Sequence, residues 1–169
     1  MSTGSPFTVY SGIQQTGVGS NGVDRPDQIA KPHLSTARKV REDYFGRGGD
    51  NGIDFFSIPV HIAGGTGPYQ GRFGTLGRNT FRGPAYHNFD FALIKDTPFG
   101  RRKSGAERVD IQFRGEFFNL LNIVNMGLPA NILQVNTKTG AIQRDTGFGE
   151  ISRTAGTSRQ IQLSLKLIY

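Results

Sequence analysis

The chain has no cysteine and no tryptophan, and only two methionines among its 169 residues. Without thiols there is no disulfide framework, no thiolate metal site and no basis for reading a redox compartment. Apolar residues make up 36% of the chain, and no run of about 18 of them occurs, which excludes a helical membrane span. Strands that cross a membrane escape this test, because alternate residues are polar. The opening Met1-Ser2-Thr3-Gly4-Ser5-Pro6 has neither a charged n-region nor an apolar h-region, so no signal peptide is expected there.

What the chain does have is glycine (24 residues) and phenylalanine (13 residues), a composition that suits strands joined by long loops better than a helix bundle. The clearest pattern is Arg159 to Tyr169. Ile161, Leu163, Leu165, Leu167 and Tyr169 share one parity, while Gln160, Gln162, Ser164 and Lys166 share the other. A strand sends successive side chains to opposite faces, so this segment has one oily face and one wet face. Its length matches the roughly 9–11 residues that a tilted strand needs to cross a bilayer. The closing aromatic suits an interfacial girdle.

Two further strands alternate in the same sense. Residues 87–95 set Phe89, Phe91 and Leu93 against Asn88, Asp90 and Ala92. Residues 108–118 set Val109, Ile111, Phe113 and Phe117 against Arg108, Asp110, Gln112, Arg114 and Glu116. Phe7 to Tyr10 is a short β-prone run and reads as the stub of another strand. Loops are expected over 11–85 and 122–158, with a weak β-prone stretch at 54–62 that Pro59 interrupts. Loops that long count against a compact soluble domain. They fit the outer side of a membrane barrel, whose turns on the other side are short. The fold class expected is therefore all-β: the last three strands plus a stub of a fourth from a large antiparallel transmembrane β-barrel, with long extracellular loops. On that reading the final strand runs inward and leaves Tyr169 at the periplasmic interface. Charge proposes a register for the first hairpin: Asp90 opposite Arg114, Asp96 opposite Arg108, Phe91 opposite Phe113 and Leu93 opposite Ile111, with each such pair contributing roughly 0.2–1 kcal/mol.

The net charge of +7 raises nucleic acid as a partner. The basic residues are scattered, however, and Arg101-Arg102-Lys103 is the densest cluster, so solvated loops or anionic lipid head groups fit better and no nucleic acid is expected. The stretch from Gly64 to Asn79 lacks the phosphate-loop pattern and reads as a turn-rich loop. His33, His61 and His87 have no metal-ligand spacing. Asp90, Arg108, Asp110, Arg114 and Glu116 form a polar row that would face the lumen, where it could line a pore or grip a domain seated inside it, or else form a polar wall whose charges pair across strands. No catalytic group, cofactor or metal is expected. In Glu116-Phe117-Phe118-Asn119-Leu120-Leu121-Asn122 apolar residues occupy both parities, which marks the strand's exit into loop.

Several of these pieces resemble the C-terminal end of a TonB-dependent receptor of the outer membrane, in particular the Oar-like group with a carboxypeptidase-regulatory-like domain. They are Ser5-Pro6-Phe7-Thr8-Val9, Gly74-Thr75-Leu76-Gly77-Arg78-Asn79-Thr80-Phe81-Arg82-Gly83-Pro84, and Asn88-Phe89-Asp90 with Lys95. Phe113 through Asn122, and Phe148-Gly149 with Arg159-Gln160-Ile161-Gln162, complete the match. Gly115 stands where the family leads one to expect alanine. The resemblance implies a barrel of the roughly 22-stranded plugged kind, taking up a substrate with energy delivered through TonB, in the outer membrane of a Gram-negative bacterium. It implies as partners the remaining strands, a plug domain absent here, TonB acting through that plug, outer-membrane lipid and the barrel-assembly machinery. The assembly signal would be Ile161, Leu163, Leu165, Leu167 and Tyr169. Starting mid-strand, the chain reads as a truncated gene product. An open sheet in lipid leaves about five N–H and about five C=O groups unpaired on each edge, at several kcal/mol apiece, so closure with other strands is required. The alternatives are an adhesion or structural barrel without transport, a barrel assembled from several copies, and a soluble β-sandwich.

Overall fold

In the computed structural model the described residues are 2–13, 24–32, 44–45, 53–58, 73–100, 109–136, 141–144 and 146–168. Their regular elements are seven strands and one 3-10 turn (Ile53–Phe55). The strands are β1 (Pro6–Phe7), β2 (Asp27–Gln28), β3 (Phe56–Ser57), β4 (Phe81–Arg82), β5 (Phe91–Phe99), β6 (Val109–Phe118) and β7 (Gln160–Ile168). The chain divides into two compact units: a sheet unit from His87–Val124 and Gly156–Tyr169, and a loop unit from Ser2–Tyr86 and Asn125–Ala155.

The sheet unit is a three-stranded antiparallel meander in the order β5-β6-β7. Across β6 and β7, Ile111 faces Leu167, Phe113 faces Leu165, Gly115 faces Leu163 and Phe117 faces Ile161. These are the apolar parities of both strands, so the alternation in the sequence alone aligns them.

The first hairpin corrects the charge-based register. Phe91 pairs with Phe117, not Phe113, and Leu93 pairs with Gly115, not Ile111. The strand itself begins at Phe91 and runs to Phe99, four residues later than the expected 87–95 at each end. Asp90 therefore lies outside the ladder, and Asp96 pairs with Gln112. The displacement is even, so parity is kept and the oily and wet faces survive it. Its cause is at the start of β5, where Asp90 is engaged by backbone beyond β6 and is withdrawn from cross-strand pairing. At the other end Pro98 lies within β5. Lys95, on the apolar parity, sits opposite Phe113.

The loop unit is held by an aromatic core rather than by ladders. Phe45 stacks on Phe148 with ring centroids 5.0 Å apart and planes at 2°, and meets Phe56, Phe81 and Tyr44 edge-on at 5.8, 5.5 and 5.9 Å. Offset and edge-on pairs of this kind add to the area term for burial. Phe7, Val9, Ile53, Ile58, Leu76, Leu133 and Ile151 are buried with them. The stub expected at residues 7–10 belongs here: β1 pairs with β4 for two residues, and Tyr10 forms a lone parallel bridge with Ile132. Of the β-prone stretch at 54–62, only Phe56–Ser57 is a strand, paired with β2; residues 59–62 lie outside the described residues. Gly4 is required where it stands, because a Cβ there would lie 1.7 Å from the carbonyl oxygen of Gly83.

Candidate functional site

The expected assembly strand presents the four described members of its apolar row. Ile161, Leu163, Leu165 and Leu167 are all more than half exposed; Tyr169 lies outside the described residues. Beside them Phe91, Leu93 and Phe113 are exposed as well. In register these side chains share one face of the sheet, which Lys95 and Thr97 of β5 interrupt. Soluble surfaces rarely display so large an apolar patch, and such patches mark interfaces. In a soluble sandwich the same residues would be the core.

The opposite face carries the polar row, with changes. Arg114 and Glu116 form an ion pair along β6 at 2.5 Å. Gln112 Nε2 donates across the hairpin to Asp96 Oδ1 at 2.8 Å. Asp110 lies on the same parity, opposite Pro98 and Ile168. Gln162, Ser164 and Lys166 of β7 continue this face. Arg108 lies outside the described residues. Asp90 is not part of the row, since it stands beyond the end of the ladder. The Arg114–Glu116 ion pair runs along β6 rather than across strands, and the hydrogen bond across the hairpin is between Asp96 and the neutral Gln112.

Asp90 instead joins a clamp that the sequence reading did not anticipate. The backbone N–H of Asn119 donates to Asp90 Oδ1 at 2.9 Å, and Asn88 Nδ2 donates to both Asp90 oxygens at 2.9 Å. The Asn119 side chain is buried and fully used. Its Nδ2 donates to the carbonyls of Ile123 and Thr157, each at 3.0 Å, and its Oδ1 accepts from the Ile123 N–H at 2.9 Å. Asn122 Oδ1 accepts from the Arg159 N–H at 3.3 Å. Both asparagines adopt left-handed backbone, with φ of 51° and 48°, a conformation that asparagine tolerates better than most residues. The signal was present in the sequence as a pair of asparagines three apart at the end of a strand. It was read there only as a strand exit.

Among the described residues no His, Cys, Asp and Glu side chains gather as a metal ion would need, and no helix is long and apolar enough to cross a membrane.

A family model described as an outer membrane beta barrel domain matches residues 1–162. The chain belongs to that family. It is an outer-membrane β-barrel protein. No curated protein and no solved structure matches it.

Proposed function

We propose that the chain supplies barrel wall and outer loops to a TonB-dependent receptor of the Oar-like kind, in the outer membrane of a Gram-negative bacterium. The observation that supports this reading most is the largely apolar face across β5, β6 and β7, interrupted in β5 by Lys95 and Thr97, with the Arg114–Glu116 ion pair on the reverse. Lipid covers the first face, and the lumen and its plug lie against the second. The outer edges of β5 and β7 are completed by the receptor's other strands, because unpaired backbone in hydrocarbon costs several kcal/mol per group. The row Ile161, Leu163, Leu165, Leu167 and Tyr169 is what the barrel-assembly machinery would read. The plug, supplied by the rest of the receptor, would contact TonB.

Comparing cells with and without a working TonB tests the reading. Ligand held at the surface should persist without TonB, while its accumulation in the periplasm should stop. A barrel that binds at the surface and never accumulates ligand would instead be an adhesion protein. The loop unit favours that second reading to the extent that it has its own core and can present a binding surface without any transport.

A further inference from the structure

We propose that a cavity in the loop unit is a binding site for a small organic anion, namely a phosphate or carboxylate carried on a flat apolar ring. The cavity measures about 720 Å³ and is lined by Thr8, Tyr10, Arg25, Phe73, Arg78 and Asn79. That volume falls in the range of roughly 300–1,000 Å³ typical of small-molecule sites.

Among the described residues the charge of the lining is one-sided, with two guanidinium groups and no carboxylate. Guanidinium matches the planar geometry of carboxylate and phosphate oxygens through paired N–H donors. Arg25 is only partly buried, and while its Nε is enclosed without a hydrogen-bond partner among the described residues, the side chain lines the cavity. The Arg25 guanidinium carbon lies 5.7 Å from the centre of the Phe73 ring, a cation–π distance that holds the group in place. Phe73 is still 49% exposed, which leaves ring surface for a ligand to cover. A bare oxyanion would occupy a small part of this volume and leave that surface wet. A ring attached to the anion uses both.

The walls are set before any ligand arrives. The Gly74 N–H donates to the Arg25 carbonyl at 2.9 Å, and the Leu76 N–H donates to the Pro26 carbonyl at 3.1 Å. At Gly74 a Cβ would lie 2.1 Å from Pro26 backbone, so only glycine allows Phe73 to come up beside Arg25. On the other side the Asn79 N–H donates to Thr8 Oγ1 at 2.8 Å. Tyr10 is held through its backbone, which donates to Asn131 and accepts from Leu133 at 2.8 and 2.9 Å. A site already in its bound shape loses little entropy on binding.

The inference rests on the loop unit alone and stands whether or not the barrel performs uptake. The test is equilibrium dialysis on membranes from cells expressing the full chain, with vector-only membranes as background and phenyl phosphate, inorganic phosphate and phenol as probes. Saturable binding of phenyl phosphate is expected, weakened by salt. It should be about tenfold tighter than inorganic phosphate, and Arg25→Gln or Arg78→Gln should each weaken it by about tenfold. Arg78 is exposed, so its variant separates recognition from folding; protease resistance of the loop unit provides the control for Arg25. The proposal is overturned by an absence of saturable binding, by phenol binding as well as phenyl phosphate, or by an Arg78→Gln chain that binds like the parent. Accumulation assays with and without TonB report on the uptake reading separately.

Discussion

Asn119 and Asp90 are joined by a single hydrogen bond, from the backbone N–H of Asn119 to Asp90 Oδ1 at 2.9 Å, across 29 residues of sequence. That bond accounts for where β5 begins. With Asp90 occupied outside the ladder, the first paired residue becomes Phe91, opposite Phe117. The Asn119 side chain then ties the Ile123 and Thr157 backbones to the same point. One short motif ties the start of β5, the end of β6 and the approach to β7 together.

Replacing Asn119 with alanine removes three side-chain hydrogen bonds at a buried position. Two carbonyls and one N–H are left unsatisfied, for an expected loss of about 2–4 kcal/mol. Urea unfolding in detergent measures it. Asp90→Asn keeps an acceptor oxygen for the Asn119 N–H, so its loss should be clearly smaller. Equal losses for the two variants would show that the side-chain contacts of Asn119 are not what holds this end of the sheet.

Leu165 and Ser164 are adjacent but lie on opposite faces. Arginine at Leu165 places charge among acyl chains, at about 2–4 kcal/mol near the bilayer midplane. Arginine at Ser164 joins the polar face beside Arg114 and Lys166 and should cost far less. Membrane flotation and heat-dependent gel mobility should reveal assembly defects in the first variant and near-normal assembly in the second. Similar behaviour of the two variants would refute the assignment of faces.

Gly115 is buried between Phe113 and Phe117 and faces Leu163. A Cβ there would meet Leu163 Cδ2 at 3.5 Å and the two phenylalanine rings at 3.6 and 3.8 Å, all ordinary packing distances. Gly115→Ala should therefore stabilise the sheet by about 0.4–1 kcal/mol, mainly through the entropy of the unfolded chain. A rise in the urea midpoint checks it.

Because the chain has no cysteine of its own, introduced pairs report register without background. Asp96→Cys with Gln112→Cys should cross-link on mild oxidation, because these positions face each other. Asp96→Cys with Arg108→Cys, the pair that charge alone proposes, should not. Preferential cross-linking of the second pair would restore the register expected from charge.

Burial raises the pKa of Tyr44 above its ordinary 10.0, and its hydroxyl donates to the Arg82 carbonyl. The folded state therefore holds this proton to higher pH than the unfolded chain does. The stabilising contribution is complete below about pH 10 and is lost as pH rises through the higher folded value. In Tyr44→Phe that alkaline step in protease resistance of the loop unit should vanish, with a neutral-pH loss of about 1 kcal/mol from the missing hydrogen bond. An unchanged alkaline step would place its origin elsewhere.

The sheet was legible because its information is periodic. Ile161, Leu163 and Leu165 show their common face in the order of residues alone, and Phe113 and Ile111 do the same in β6. The loop unit was not legible for the opposite reason. Phe7, Phe45, Phe56, Phe81 and Phe148 form one core, yet no spacing relates them, and most of the chain between them is irregular. Arg25, Phe73 and Arg78 likewise meet only because backbone hydrogen bonds bring residues 25–26 against 74–76.

Alternation by itself determined that the chain has three amphipathic strands, which residues share a face, and that one face is apolar enough for lipid. Side-chain parity is a local property and needs no partner to be defined. Register, the start of β5 and the existence of the aromatic core were decided only by tertiary structure. Each depends on hydrogen bonds or ring contacts between residues far apart in sequence, whose energies are set by position rather than by residue type.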